Sequence, residues 1–171
     1  MSVVETKRLA LRRFEARDAP FVLRLVNEPS WLEHIGDKGV RTLDDAARYI
    51  AEGPVAMYER VGFGLYVVEL KPDAEPIGMC GLIRRDGLAD VDVGFAFLPA
   101  YWGRGFAFEA ARAVVAFGRE TLGLARIVAI VGETNARSAA LLERLGFAYE
   151  GTTSVRPGET LRLYASNGTD A

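Results

Sequence analysis

The stretch Phe97-Leu98-Pro99-Ala100-Tyr101-Trp102-Gly103-Arg104-Gly105-Phe106-Ala107-Phe108-Glu109-Ala110 decides the fold. A strand stops at Pro99, two glycines flank an arginine, and an alanine-rich helix begins at once. Backbone N–H groups at a helix N-terminus are unpaired and attract anions. Glycine lets a phosphate approach them with no Cβ in the way. Arg104 adds a forked positive charge. An ordinary strand-to-helix turn, with glycines for close packing, has the same signature, so the loop alone leaves both readings open. Spacing removes two nucleotide motifs. A Walker loop needs Gly-Lys followed by Ser or Thr, and no such tripeptide occurs. A dinucleotide fingerprint needs a third glycine where Phe108 stands and an acid near the end of the next strand, which instead reads Ala129-Ile130-Val131-Gly132.

Upstream of the loop, Phe63–Leu70, Pro76–Ile83 and Ala89–Leu98 read as strands separated by Lys71-Pro72-Asp73 and Asp86-Gly87. Such short connections make the strands antiparallel neighbours. Earlier still, Arg8–Phe14 alternates as a first strand. Asp18 and Pro20 open a helix that Asn27-Glu28-Pro29-Ser30 ends. Thr42-Leu43-Asp44-Asp45 caps a second helix running towards Gly53-Pro54. The segment Trp31 to Val40 has no clean period, which places His34 in a surface loop. Downstream, a helix over about Arg104 to Leu122, a strand over Arg126 to Val131 and a helix over Asn135 to Leu145 follow. Tyr149–Val155 and Leu161–Ala165 then form a hairpin around Arg156-Pro157-Gly158.

Composition bounds the class. The 171 residues are 50% apolar and 26% charged, enough for one domain with a core that needs no metal or disulfide. Lys and Arg total 21 against 23 acids, a balance that argues against nucleic-acid binding as the main task. No apolar run spans a bilayer and the charged start lacks a signal-peptide core, so no membrane partner and a cytoplasmic setting are expected. One cysteine, Cys80, and one histidine, His34, leave no set for a zinc cluster; no metal is expected, and Cys80 reads as inert core.

The second informative segment is Thr134-Asn135-Ala136-Arg137-Ser138-Ala139-Ala140-Leu141-Leu142-Glu143-Arg144-Leu145-Gly146-Phe147. Asn135 suits an N-cap and Gly146 a C-terminal stop. Ser138, Leu141, Leu142 and Leu145 share one helical face, so a hydroxyl stands where packing alone asks for Ala or Leu. It either bonds back to the preceding turn or does chemistry.

Together the two segments resemble the GNAT superfamily of acyl-CoA-dependent N-acetyltransferases, and within it the RimJ/RimL-like branch. The family's phosphate loop, Gln or Arg, two residues, Gly, one residue, Gly or Ala, is matched by Trp102-Gly103-Arg104-Gly105-Phe106-Ala107, with Trp102 departing in the first place. Asn135, Ser138 and Leu145-Gly146-Phe147 match its Asn-x-x-Ser helix and Leu-Gly-Phe ending, and Glu5-Thr6-Lys7-Arg8-Leu9 matches its opening. The resemblance covers about Thr6 to Ala165. It implies one α+β domain over 6–165 with a polar, frayed tail over 166–171. The sheet would be mixed and mostly antiparallel, of about seven strands flanked by helices and splayed between strands 4 and 5. It implies acetyl-CoA as co-substrate, its pyrophosphate on the amides of Gly103, Arg104, Gly105, Phe106 and Ala107. Trp102 belongs to the same coenzyme loop, Asn135 would face the pantetheine arm, and Phe97 and Leu98 would line that arm through their backbones.

The implied reaction is acetyl transfer to a primary amine: a protein N-terminal α-amine, a peptide or a small amine. It needs a neutral amine, a donor for the developing oxyanion and a proton for the leaving thiolate. The oxyanion would meet a backbone N–H around Phe95 to Phe97. Family members often supply the proton from a tyrosine where this chain has Leu142, which leaves Ser138 as the nearest acid. Strand alternation puts Asp92 beside Gly94 and Ala96 on the open face, either as a base or as a solvated strand charge. The acceptor wall would come from Trp31 to Arg41 and the terminal hairpin, in a monomer or homodimer. A coenzyme-binding module without turnover is the alternative that the missing tyrosine raises.

Overall fold

The computed structural model describes residues 1–168. Its strands are β1 (Ser2–Glu5), β2 (Leu9–Arg13), β3 (Leu65–Leu70), β4 (Glu75–Ile83), β5 (Asp92–Phe97), β6 (Ile127–Gly132), β7 (Ala148–Thr153) and β8 (Leu161–Ser166). They form one sheet in the order β1-β2-β3-β4-β5-β6-β8-β7. β1 to β5 pair antiparallel in chain order, through short connections except for the long helical segment between β2 and β3. β5 and β6 are parallel and touch at a single pair, Asp92 and Val128. Beyond that pair the sheet parts. The expected seven strands are eight because Ser2–Glu5 adds an edge strand on β2. The split therefore falls between β5 and β6 in this count, the same two segments that the sequence placed fourth and fifth.

Helix α5 (Phe106–Glu120) covers one face of the sheet, burying Ala110, Ala111 and Val114 against Leu82, Val93 and Ile127. Helices α1 (Ala19–Leu25), α2 (Pro29–His34) and α3 (Leu43–Ile50) cover the other, with Val22, Trp31 and Ile50 against Val67 and Met79. Central β4 is consequently buried from Ile77 to Ile83, and its alternation vanishes. A Cβ on Gly81 would lie 2.1 Å from the Gly64 carbonyl oxygen, so only glycine lets the chains pass there. Cys80 is fully buried and desolvation pushes its thiol up, the inert core residue expected.

Three local departures have physical causes. Gly53-Pro54 does not end the helix at Thr42; a π-turn over Ala51–Val55 absorbs the missing Pro54 N–H, and α4 (Ala56–Val61) continues to Gly62. Pro29 breaks α1 yet opens α2 at once, which puts His34 on a helix rather than in a loop. The start of the tail is not frayed: Ser166 closes β8 and is bonded by Arg119, and Asn167 accepts from Arg126 at 2.9 Å. Positions 169–171 of the tail lie outside the described residues.

Candidate active site

The glycine loop turns the end of β5 into α5 through two left-handed residues. Gly103 and Gly105 have φ of 77° and 80°, the left-handed conformation that glycine adopts without strain, and Gly105 is the N-cap of α5. Glu109 in the first turn would repel a phosphate, but it is occupied. Thr6 Oγ1 donates to it at 2.6 Å and Arg8 Nε at 2.7 Å. Arg8 also donates to the Arg104 carbonyl at 3.0 Å, which fixes the loop to the β1–β2 turn. A groove of about 870 Å³ runs past the loop, lined by residues from Phe95 to Phe97, from Tyr101 to Phe108 and from Thr134 to Ser138. Arg104, Arg137 and Arg144 line it too, the last two stacked over Trp102 and Phe108 at 4.5 Å. Sequence reading named Arg104 alone. The seven-residue spacing of Arg137 and Arg144, two turns along one helix face, was the available signal.

Alternation along β5 settles which backbone groups face the split. Val128 N–H donates to the Val91 carbonyl at 3.0 Å, and Leu98 N–H donates to Ile77 at 2.9 Å. Odd-numbered residues thus present N–H and C=O to the cleft, even-numbered ones to β4. Phe95 and Phe97 offer a strand edge there, with the Phe97 carbonyl taken by Trp102 Nε1 at 2.9 Å. Trp102 therefore pins the end of β5 to the loop. Leu98 does not line the groove as expected; its side chain is buried in the core and its N–H is spent on β4.

A second chamber, of about 510 Å³, opens on the other side of the split. Phe95, Ala96, Asn135, Ser138, Trp31 and His34 line both chambers. Asn135 caps α6 (Ala136–Arg144), its Oδ1 accepting from Ser138 N–H at 3.3 Å. Among the described residues the Ser138 hydroxyl makes no bond to the preceding turn, so the back-bonded alternative is not what the helix does. Leu142, fully buried, forms the chamber floor one turn on.

Asp92 is not a solvated strand charge. It is 1% exposed, bonded by Arg85 Nε at 3.0 Å, and lines the second chamber. Burial raises its carboxyl to about 6, and Arg85 opposes the rise. The solvated charge is Asp90, paired with Arg126 at 3.0 Å. Lys38, Arg85, and Arg156 with Glu159 also reach this chamber, from three loops. Glu159 binds Arg156 through Oε2 at 3.0 Å, while its buried Oε1 has no partner. The residues chosen from sequence thus converge, Asp92 on the second chamber, Trp102 and Gly103–Ala107 on the first, Ser138 and Asn135 where they meet. Among the described residues no three His, Cys, Asp or Glu side chains are placed to hold a metal, and no helix is long and apolar enough to cross a membrane.

The sheet parts beyond one β5–β6 pair, a double-glycine turn opens α5 beside the split, and two chambers meet at Phe95, Ala96, Asn135 and Ser138. Residues 8–148 match the acetyltransferase (GNAT) domain, and the chain belongs to that family of N-acetyltransferases, whose acetyl donor is acetyl-CoA. It is 30% identical over 152 residues to the uncharacterized N-acetyltransferase YoaA of Bacillus subtilis (strain 168), spanning 87% of this chain and 84% of that protein. The acetyltransferase from Agrobacterium tumefaciens str. C58 superposes with a TM-score of 0.82 at 27% identity, covering 95% of this chain and 92% of that one. RimL, a ribosomal L7/L12 alpha-N-protein acetyltransferase solved in complex with coenzyme A, shares the fold with a TM-score of 0.82 at 18% identity, covering 99% and 100%.

Proposed function

We propose that this N-acetyltransferase is RimJ/RimL-like in mechanism and acetylates a primary amine, a protein N-terminal α-amine, a peptide or a small amine, with Ser138 as acid and Asp92 as proton sink. The observation that carries the proposal is the sharing of Phe95, Ala96, Asn135 and Ser138 by two chambers. An acyl group delivered from the groove meets an amine delivered from the second chamber at those residues.

Acetyl-CoA supplies a thioester, whose carbonyl carbon accepts the amine. Gly103 to Ala107 hold the pyrophosphate on their amides, with Arg104, Arg137 and Arg144 as counter-charge. Phe95 N–H, facing the cleft, donates to the carbonyl oxygen as it gains charge. The acceptor ammonium first loses one proton outward through water. The neutral amine then forms the new C–N bond, the C–S bond breaks, Ser138 gives its proton to the departing sulfur, and water returns the nitrogen's surplus proton to Ser138. Asp92 lies three residues from Phe95, about 10 Å along the strand, so it draws the outward proton through water rather than by contact. An α-amine, about a tenth neutral at pH 7, needs no stronger base; a lysine, below about 0.1% neutral, does.

Thiol release from acetyl-CoA across a panel of N-terminal peptides and small amines tests the proposal. Turnover on α-amines is expected. Coenzyme binding without release on any amine would return the chain to the non-catalytic alternative.

A further inference from the structure

Three cations and three acids line the second chamber. Lys38, from the loop after α2, Arg85, from the β4–β5 loop, and Arg156, from the β7–β8 hairpin, converge on it from segments far apart in sequence. Two of the three are neutralised: Arg85 by Asp92 at 3.0 Å and Arg156 by Glu159 at 3.0 Å. Lys38 is not. Among the described residues no carboxylate lies within 4.0 Å of its ammonium. The acid beside it, Asp37, is clamped by Arg41 at 2.5 Å and by Gly39 N–H at 2.8 Å. Asp86 lines the chamber but is exposed, and the charges acting on Lys38 are Arg156, Arg85 and Glu159.

With Arg85 paired to Asp92 and Arg156 to Glu159, Lys38 is left as the cation of this chamber that no carboxylate pairs among the described residues. Although the residue keeps an exposed surface, burial against the chamber wall and then the two arginines hold its ammonium below the ordinary lysine value. An anion entering the chamber removes both penalties at once, because it replaces lost hydration and cancels the like-charge repulsion. Nothing in the transfer chemistry calls for a cation at this wall, since the acceptor's reacting group is itself an ammonium before it loses its proton. Lys38 therefore acts on another part of the acceptor.

Resting on the acetyl-transfer proposal above, we infer that the acceptor is an amine carrying an anionic group, a carboxylate or phosphate, held by Lys38 with Arg156 beside it. A free acidic amino acid and a peptide with an acidic first residue both present that chemistry. Lys38 is then a specificity residue.

The test compares kcat/KM for matched peptide amides: Asp-Ala-Ala against Asn-Ala-Ala, and phosphoserine-Ala-Ala against Ser-Ala-Ala. The expected preference for the anionic member is about 10- to 100-fold, the range for one hydrogen bond to a charged group. Its larger value identifies carboxylate or phosphate as the source. Lys38→Gln is expected to bring the ratio close to one and Lys38→Glu to invert it. Acetyl-CoA affinity on each variant reports an intact fold. Equal rates within both pairs, or a preference that survives Lys38→Gln, would overturn the inference while leaving acetyl transfer standing. Thiol release with none of the four, in protein that releases thiol on another amine of the panel, would overturn this inference alone; release on no amine at all would overturn the transfer proposal with it.

Discussion

Replacing Asp92 by Asn separates what the cleft costs the fold from what it gives the reaction. Burial lifts the folded carboxyl from 3.8 to about 6, in spite of the Arg85 guanidinium at 3.0 Å. A carboxyl that holds its proton more tightly when folded favours the folded state where it is protonated. That contribution is complete below about pH 3.8, and it is lost as pH rises to about 6. The gap between 3.8 and about 6 corresponds to about 3 kcal/mol at pH 8. Asn is neutral and nearly the same shape, and it gives up one hydrogen bond from Arg85. Arg85 is 38% exposed and regains water. Urea unfolding at pH 8 is therefore expected to show the variant as stable as the parent or more so, by up to about 3 kcal/mol, with the difference shrinking towards pH 4.5. Acetylation of an α-amine by the parent should rise through an ionisation near pH 6 as well as through the amine's own at about 8, and the variant should lack the step near 6. A variant destabilised by more than about 2 kcal/mol at pH 8 would refute the electrostatics, because breaking a net-favourable buried pair has that signature.

Ser138→Ala is expected to lower turnover by roughly 10- to 1,000-fold with acetyl-CoA affinity and stability held, read by steady-state kinetics and calorimetry; a full rate would remove Ser138 from the mechanism. Asn135→Ala loses the bond from Ser138 N–H, so thermal melts should report a loss of about 1 kcal/mol. A raised coenzyme dissociation constant in the same variant would add a pantetheine contact to the cap. In Gly105→Val, φ of 80° and a Cβ facing Arg8 Nη2 at 3.4 Å strain the loop by roughly 1–2 kcal/mol, a shift of a few degrees in Tm that leaves the fold in place.

The sequence made the glycine loop legible because its chemistry is local: strand, positive-φ turn and helix N-terminus are adjacent residues. The Asn135 cap and the Thr42–Asp45 capping box were legible for the same reason. Alternation gave Asp92 the correct face, but not the helices that cover that face, so its burial was missed. Leu98 failed by one residue, since in a strand the next position along turns its N–H to the opposite neighbour. Pro54 reads as a helix end because nothing in its surroundings announces the π-turn that accommodates it. Lys38, Glu159 and the half-buried His34 meet at the cleft from segments with no shared period, which a one-dimensional pattern does not reveal.

The most direct measurement is calorimetric titration of acetyl-CoA into the full chain and into Gly105→Val. Saturable binding at one site, weakened about 10-fold or more in the variant by a side chain where the pyrophosphate must lie against backbone, is the predicted result. No heat of binding in the parent chain, or equal affinity in a folded Gly105→Val, would contradict the assignment of the glycine loop as the coenzyme site.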